Sequence, residues 1–339
     1  MIIDTEFNSA AQIPSKICLD AAVLAEQRGF GCVWKGESNS RDPMVLLSAM
    51  AARTTTLDLG TAIYHVFGRS PVTLGFQAAT FNELSGGRLI LGLGVGNPVI
   101  AAWHGETFDR PLRRMREYVE IVRAVYSGEK VSDYDGDFYS TSSAFRLAFR
   151  PPDAPLRLWI AGLGPQMAKL AGKLSDGIVI NIANPPIIRE IVENAREGAR
   201  DAGRDADALE VVSKIRVSLA ENPDEARWAL KKVLTFYSLQ QGYSAVLCQM
   251  GFEPIVRKVQ ETHKSEGFAA ARKLIPDEML EVVPMYAGSD LSGLPARLKE
   301  YEDAGSTRCV VAYVPSGDDL WGELKNYLNL ADFAQAAHA

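Results

Sequence analysis

Residues 84–105 read LSGGRLILGLGVGNPVIAAWHG, and this stretch decides the fold. Its apolar run, Leu89 to Leu91, has the length of a buried strand and ends in glycines 92, 94 and 96 instead of a polar turn. Glycine permits close approaches that a Cβ would block. The pattern predicts that a flat ligand lies against this backbone. The alternative is that the glycines only accommodate close helix packing or a bulge.

Outward from this stretch, strand-like and helix-like segments alternate along the whole chain. Proline opens several of the helical segments and glycine precedes several of the strands. Eight strand–helix units predict an α/β protein with the (β/α)8 TIM-barrel fold, and an open doubly wound sheet is the alternative. The predicted strands are Ile2 to Phe7, Cys32 to Trp34, Leu57 to Tyr64, Leu89 to Leu91, Leu158 to Ala161, Gly177 to Ile180, Val211 to Leu219 and Cys309 to Tyr313.

Two segments interrupt this alternation. An excursion at 127–155 follows the fourth helix and contains a hairpin pattern with an Asp135–Gly136 turn. A helical insertion at 223–290 precedes the eighth strand, and a final helix is expected to run to about residue 337. We expect one TIM-barrel domain over 1–339. In the seventh strand, Lys214 and Arg216 must find solvent or partners. The arginines at 110, 113, 114 and 116 are expected to form a solvated or subunit-facing surface.

The composition is that of an ordinary globular protein. The chain has 339 residues, of which 47% are hydrophobic and 23% charged, and its net charge is −6. This negative net charge provides no excess of positive charge that would attract nucleic acid or an anionic membrane, so neither partner is expected. No signal peptide, membrane span or metal-binding spacing is recognisable, and the four cysteines are expected to be free thiols in a reducing cytoplasm. Apolar helix faces near Val45 to Met50 and Phe76 to Phe81 favour a homodimer.

In a TIM barrel the active site lies at the carboxyl ends of the strands. Here those positions carry glycine, amide and apolar residues with few nucleophile–base pairs, and no GxSxG, HExxH or P-loop motif occurs. This set suits a planar cofactor that brings its own chemistry. Leu163, Gly164 and Pro165 follow the fifth strand and open a helix, so they offer amide hydrogens to a phosphate.

Several runs in the same order resemble the luciferase-like flavin and deazaflavin enzymes, and most closely the branch that uses coenzyme F420 and includes methylenetetrahydromethanopterin reductase. The runs are WKGESNSRD at 34–42, LGTAIYHVFGRSP at 59–71, LSGGRLILGLGVG at 84–96, WHG at 103–105 and YEDAG at 301–305.

The resemblance implies a set of cofactor-binding positions. It implies a non-prolyl cis peptide between Ala62 and Ile63, directly after Thr61, that forms a bulge behind the deazaflavin ring. The ring would pack over Gly94, Gly96 and Asn97. Its phosphate would lie at Leu163, Gly164 and Pro165, with Asn181 nearby. Glu37 is a further candidate for contact with the cofactor.

The proton-transfer group does not carry over from the relatives. Many deazaflavin relatives have a carboxylate shortly after the fourth-strand glycines, where this chain has Ala101 and Ala102. The remaining catalytic candidates are Glu37, His65 and His104. For Glu37 the structural alternatives are helix capping or pairing with Arg41.

These features favour an F420-dependent oxidoreductase that transfers hydride between the deazaflavin and a small organic substrate. The first alternative is an FMN-dependent luciferase-like monooxygenase. The second, from another class, is a deazaflavin-binding protein without catalysis.

Overall fold

The computed structural model of the chain describes residues 1–7 and 13–329. Within them lie ten strands: β1 Ile2–Phe7, β2 Cys32–Lys35, β3 Asp58–Thr61, β4 Tyr64–His65, β5 Leu89–Gly94, β6 Arg157–Ala161, β7 Gly177–Ile180, β8 Glu210–Leu219, β9 Met285–Gly288 and β10 Arg308–Tyr313. All eight predicted strands are present.

The helices separate the strands as the sequence predicts. They are α1 Ser15–Gln27, α2 Pro43–Ala51, α3 Pro71–Ser85, α4 Pro98–Trp103, α5 Pro111–Tyr126, α6 Pro165–Leu174, α7 Pro185–Asp201, α8 Pro223–Ser238, α9 Gln241–Leu247, α10 Glu253–Glu266, α11 Phe268–Arg272, α12 Asp277–Val282, α13 Leu294–Asp303 and α14 Leu320–Asn329, with one π-helical turn at Cys248–Phe252. The expected end of the last helix near residue 337 lies outside the described residues.

The chain has the predicted (β/α)8 TIM-barrel fold, whose eight strands are β1, β2, β3, β5, β6, β7, β8 and β10. Contacts between residues divide it into two compact units. Unit 1 comprises Met1–Gly31, Ile180–Glu190 and Val211–Ala339, and unit 2 comprises Cys32–Val179 and Ile191–Glu210.

In unit 2, strands β2, β3, β5, β6 and β7 pair side by side, and every pair is parallel. Their side chains are almost fully buried, as expected for a parallel sheet covered by helices. Trp34 and Trp159 pack with their ring centroids 5.1 Å apart. Gly60 sits in register with Trp34 and leaves room for that ring, because a Cβ there would lie 2.5 Å from it.

In unit 1, β10 lies between β1 and β8, and β9 adds to the other edge of β8, again all in parallel. The register places Glu6 opposite Ala312, and Ala312 opposite Arg216. This sheet carries buried charge. Arg308 donates two 2.9 Å hydrogen bonds to Asp4, and Lys214 forms an ion pair with Glu6.

The predicted third strand differs from the structure. The strand expected over Leu57 to Tyr64 is divided into β3 and β4, because the chain bulges at Ala62 and Ile63. Helix α5 begins at Pro111, after Arg110 adopts a left-handed conformation with φ 36°. The short helix α4 and strand β9 were not predicted from the sequence.

The excursion after α5 packs on that helix through Val131, Phe145 and their neighbours. It contains an antiparallel bridge between Asp135 and Ser140, but the turn spans Gly136 to Tyr139 instead of centring on Asp135–Gly136. The reason is Glu117 of α5, whose buried carboxylate accepts 2.9 Å hydrogen bonds from the backbone N–H groups of Asp137 and Phe138.

The expectation that the four arginines form a solvated or subunit-facing surface is wrong for Arg114. This side chain is buried, with its guanidinium 4.3 Å from the Phe138 ring centroid and 4.7 Å from that of Phe67. Its Nη2 donates a 3.0 Å hydrogen bond to Glu106. Arg114 therefore connects α5 to the excursion instead of facing water.

The insertion before β10 is helical as expected. Helices α8 to α12 enclose an apolar cluster around Leu230, Leu247 and Met279, and they are followed by β9. The expected insertion at 223–290 therefore also contains the strand that extends the sheet beyond β8.

The buried carboxylate of Glu117 gives a test of how the excursion is held. Burial alone would raise the pKa of Glu117, but hydrogen bonds from Phe138 and Asp137 outweigh burial and lower it. Because the pKa is lowered on folding, the stabilisation is present above the unfolded pKa of about 4.3 and is lost as pH falls through the folded pKa. We expect Glu117→Gln to lower the unfolding free energy by about 1–3 kcal/mol at pH 7.

Urea denaturation at pH 7 and at pH 3 measures this effect, and the exposed Glu83→Gln is the control. The difference between wild type and Glu117→Gln should shrink at the lower pH. An equal loss for both variants at pH 7 would contradict the role assigned to Glu117.

Candidate active site

The carboxyl ends of β2 and β3 meet in unit 2 through their backbones. Ala62 donates its N–H to the Lys35 carbonyl and Glu37 donates its N–H to the Ile63 carbonyl, both at 3.0 Å. Gly36 lies between these bonds, and a Cβ on it would come within 2.8 Å of the Ala62 carbonyl oxygen. The peptide bond between Ala62 and Ile63 is cis, which confirms the prediction for this position.

The glycines of β5 accommodate this bulge. A Cβ on Gly92 would lie 2.0 Å from the Thr61 carbonyl oxygen, and one on Gly94 would lie 2.1 Å from Ile63 Cδ1. The Thr61 hydroxyl fixes the approach, since it bonds both the N–H and the carbonyl of Gly92 at 2.9 Å. The structure thus contains the bulge that was the alternative explanation of the glycine pattern.

A network of charged and phenolic side chains supports the bulge from one side. Glu37 accepts a 2.8 Å hydrogen bond from the backbone N–H of His65 and a 2.9 Å hydrogen bond from Arg69. Arg69 also donates to Asp42 at 3.1 Å and stacks 4.0 Å from the Tyr64 ring centroid. Both Glu37 oxygens are therefore occupied, and the partner is Arg69 instead of Arg41.

Tyr64 completes the network as a neutral phenol. Its hydroxyl accepts from the backbone N–H of Met44 at 2.7 Å and donates to Asp42 at 3.1 Å. Burial, followed by the nearby Asp42 charge, raises the pKa of Tyr64 well above its ordinary range. Asp42 also caps α2 by accepting from the Val45 N–H.

His65 lies on the other side of Glu37 and is only 8% exposed. Its Nδ1 is buried without a hydrogen-bond partner among the described residues, and it faces Gly96, where a Cβ would lie 2.8 Å away. Burial lowers the pKa of His65 below its ordinary value, and the Glu37 carboxylate only partly opposes this effect. The imidazole is therefore neutral at pH 7.

His104 is exposed and belongs to the same group. A Cβ on Gly68 would lie 3.3 Å from a Glu37 oxygen and 3.5 Å from His104 Nε2. The charge of His104 contributes to the lowered pKa of His65. The structure thus brings together all three catalytic candidates, Glu37, His65 and His104.

Two helices begin beside the glycine strand and after β6. Asn97 caps α4, with its side-chain oxygen accepting from the N–H groups of Val99 and Ile100. Gly164 caps α6 without a side-chain hydrogen bond, and nothing lies within 4 Å of the position of its absent Cβ. The first-turn N–H groups of a helix have no intrahelical partner, so the start of α6 can bind an anion.

Asn181, the remaining predicted cofactor residue, belongs to unit 1. Its side-chain oxygen accepts a 2.9 Å hydrogen bond from Arg216, which also contacts the Tyr237 hydroxyl. Arg216 and Tyr237 were not predicted as site residues. The signal was present in the sequence, because a charged residue in an otherwise buried strand needs a partner.

The sequence and structure of the chain were compared with those of known proteins. A family model described as luciferase-like monooxygenase matches residues 5–308. The 5,10-methylenetetrahydromethanopterin reductase of Archaeoglobus fulgidus is 33% identical over 306 residues, which cover 87% of this chain and 89% of the reductase. The chain belongs to the luciferase-like monooxygenase family.

Solved structures agree on the fold. The coenzyme F420-dependent tetrahydromethanopterin reductase of Methanopyrus kandleri superimposes with a TM-score of 0.84 at 24% identity, over 97% of this chain and 98% of that one. An F420-dependent secondary alcohol dehydrogenase in complex with an F420–acetone adduct superimposes with a TM-score of 0.76 at 21% identity, over 98% and 99%.

The described residues were also searched for membrane-spanning helices and for metal-binding groups of side chains. Over residues 1–7 and 13–329, no helix is long and apolar enough to cross a membrane. In the same ranges, no group of three or more His, Cys, Asp or Glu side chains is arranged to hold a metal ion.

The fit between the bulge and the glycine strand can be tested without any ligand. Gly94→Ala places a methyl group where Ile63 Cδ1 lies, so Ile63 must move, at a cost of about 1–3 kcal/mol of stability. Ile63→Val removes Cδ1, so the double variant Ile63→Val/Gly94→Ala should be less destabilised than the sum of the two single changes.

Thermal and chemical unfolding of the four proteins measures this coupling. Gly164→Ala is the matched control, because its added methyl group meets open space and should change stability by less than about 0.5 kcal/mol. Additive effects of the two substitutions would show that Ile63 does not fill the space beside Gly94.

Proposed function

We propose that this protein is a coenzyme F420-dependent oxidoreductase that transfers hydride between the deazaflavin and a small organic substrate. The observation that carries the proposal is the bulge at Ala62 and Ile63, which is fixed against Gly92 and Gly94 at the carboxyl ends of β3 and β5. Membership in a family with F420-dependent relatives supports it.

The residues present fit a flat cofactor with a phosphate. The bulge gives one face an apolar and backbone surface through Ala62 and Ile63. The start of α6 at Leu163, Gly164 and Pro165, where Gly164 provides no side-chain hydrogen bond, offers amide hydrogens and the positive end of the helix dipole to a phosphate. Thr61, Gly94, Gly96, Asn97 and Asn181 are proposed as further cofactor-binding residues.

When bound, the deazaflavin supplies the carbon that gives or accepts the hydride. The chain supplies position and proton transfer. We assign proton transfer to His65, because its imidazole is neutral and its Nδ1 has no hydrogen-bond partner among the described residues. His104 is the second candidate. Glu37 holds the backbone of His65, so it acts chiefly as a positioning residue even if it also contacts the cofactor.

The proposal also includes the oligomeric state, the cellular compartment and the domain organisation of the protein. Of the two helix faces expected to form a homodimer, the one on α2 exposes Val45 at 73%, which supports this proposal, whereas Met50 and Phe81 of these faces are buried. Cys18, Cys32 and Cys309 are buried thiols, which fits a cytoplasmic protein. We also propose that residues 1–339 act as one TIM-barrel domain.

The function is tested by cofactor binding and by hydride transfer. We expect the purified protein to bind F420 more tightly than FMN in a fluorescence titration. We further expect it to oxidise reduced F420 with methylenetetrahydromethanopterin or acetone as hydride acceptor, the compounds associated with its relatives. His65→Gln should slow the transfer while leaving F420 affinity within about threefold.

Each contrary result selects another function. Micromolar binding of FMN without binding of F420 would support a flavin monooxygenase. Tight F420 binding without transfer to any acceptor in a broad panel would support a deazaflavin-binding protein without catalysis.

The assignment of the phosphate to α6 predicts opposite effects on stability and binding. Gly164 has φ −94° and ψ 155°, which other residues adopt freely. Gly164→Asp supplies the missing cap, so it should keep or raise stability by up to about 1 kcal/mol. Its negative charge should repel the phosphate and weaken F420 binding at least tenfold.

Gly164→Asn is the matched control, because it caps the helix without adding charge. Its side-chain oxygen competes with the phosphate for the same N–H groups but adds no charge, so its F420 affinity should fall less than that of Gly164→Asp. Equal affinities for the Asp and Asn variants would place the phosphate elsewhere.

A further inference from the structure

Arg216 is a buried cation in unit 1 whose partners among the described residues are all neutral. The side chain is only 5% exposed, and its Nη1 is buried without a hydrogen-bond partner among the described residues. Its Nη2 contacts the Asn181 side-chain oxygen and the Tyr237 hydroxyl, and its guanidinium lies 4.6 Å from the Tyr237 ring centroid. These contacts orient the guanidinium, and no carboxylate within residues 1–7 and 13–329 forms an ion pair with it.

The other charges buried in the strands of this unit form pairs. Asp4 is bonded to Arg308, and Glu6 is paired with Lys214. Glu6 lies in the same row as Arg216, across Ala312, but it is already engaged by Lys214. These five side chains therefore carry one positive charge in excess. A buried charge without a counter-ion is costly, so its retention indicates a bound anion.

The side chains around Arg216 are partly exposed and rich in hydrogen-bond donors. Asn181, Tyr237 and Tyr243 are each only partly buried, and the Tyr237 and Tyr243 rings pack edge to face with centroids 4.6 Å apart. Burial raises the pKa of Tyr243 to about 12, so its hydroxyl keeps its proton at pH 7. The cluster thus combines a fixed guanidinium with two phenols and an amide.

The backbone beside the cluster is held in an unfavourable conformation. Ile182 directly follows Asn181 and has φ 54°, in a region that β-branched residues rarely adopt. It is fully buried in the apolar cluster formed with α8 to α12, and this packing keeps it in place. Strain of this kind persists where the surroundings enforce it, and here it positions the amide that contacts Arg216.

We infer that Arg216, Asn181, Tyr237 and Tyr243 form a binding site for an anionic oxygen group, a carboxylate or a phosphate, of a small molecule. A guanidinium with a free N–H edge and neighbouring hydroxyls is suited to such a group. The anion belongs either to the substrate, which is then an organic acid or phosphate ester, or to the anionic tail of the cofactor. Only this last attribution rests on the proposed function.

The test uses the full-length protein without cofactor, titrated with sodium phosphate and with sodium acetate at constant ionic strength maintained by sodium chloride. We expect a saturable rise in Tm, on the order of 3 °C, for wild type and for Arg150→Gln, an exposed arginine control. Arg216→Gln should show no saturable rise. Arg216→Lys keeps the charge without the guanidinium geometry and should shift the midpoint to at least fivefold higher anion concentration.

An unchanged saturable rise in Arg216→Gln would overturn the proposal, and so would a wild-type response that chloride reproduces. If Arg216→Gln does not fold, the midpoint for Arg216→Lys decides instead, and a midpoint equal to that of wild type is then the contrary result. These measurements need no hydride transfer, so they stay informative even if F420 does not bind.

The same titration after saturation with F420 identifies the source of the anion. Loss of the phosphate and acetate response assigns the site to the cofactor tail, and its persistence assigns the site to the substrate. Both results support an anion site at Arg216 and differ only in which molecule carries the group.

Discussion

The candidate site in unit 2 depends on one close backbone approach. The Thr61 carbonyl oxygen lies where a Cβ of Gly92 would be, and Ile63 lies where a Cβ of Gly94 would be. The Thr61 hydroxyl adds two hydrogen bonds to the Gly92 backbone. Because any larger residue at position 92 would meet backbone atoms, this approach fixes where β3 ends, where β4 begins and where His65 is placed.

The fold could be predicted from the sequence because its signals are local. Apolar runs bounded by glycine and helices opened by proline lie within a few residues of the features that they determine, so β1 and β7 were predicted with their observed bounds. β4 is two residues long and α4 six, too short for a periodic pattern. The glycines at 92 and 94 marked the right place, and their immediate neighbour is the bulge, which the sequence left as the alternative.

The partners within the site could not be predicted in the same way. Glu37 pairs with Arg69, 32 residues away, and the nearer Arg41 was the natural expectation. Arg216 contacts Asn181, 35 residues away, and Tyr237 from a helix of the insertion. Such pairs depend on which strand ends meet, so they follow from the fold and not from spacing. The sequence predicted only that Lys214 and Arg216, as charged residues in a buried strand, must have partners or contact solvent.

The polar side chains of the candidate site and of the Arg216 cluster are of two kinds, those with complete pairing and those without it. In the Glu37 network each charge has an opposite neighbour, so the network keeps its geometry without a ligand. His65 and Arg216 each retain a buried nitrogen without a hydrogen-bond partner in the described parts of the chain. Rigid, fully paired groups are suited to positioning, whereas incompletely paired ones are suited to binding or proton transfer.

This difference explains how the chain can lack the carboxylate that many deazaflavin relatives carry after the glycine strand. Ala101 occupies that region on α4 and is fully buried, so an acid at this position would need its own hydrogen-bond donors. The chain instead places a neutral imidazole, His65, beside Gly96 and holds its backbone with Glu37. An imidazole whose pKa is lowered by burial accepts a proton less readily than a free one, so it returns that proton more easily. For the proton transfer proposed for His65, the lowered pKa therefore favours the direction in which the imidazolium gives up its proton.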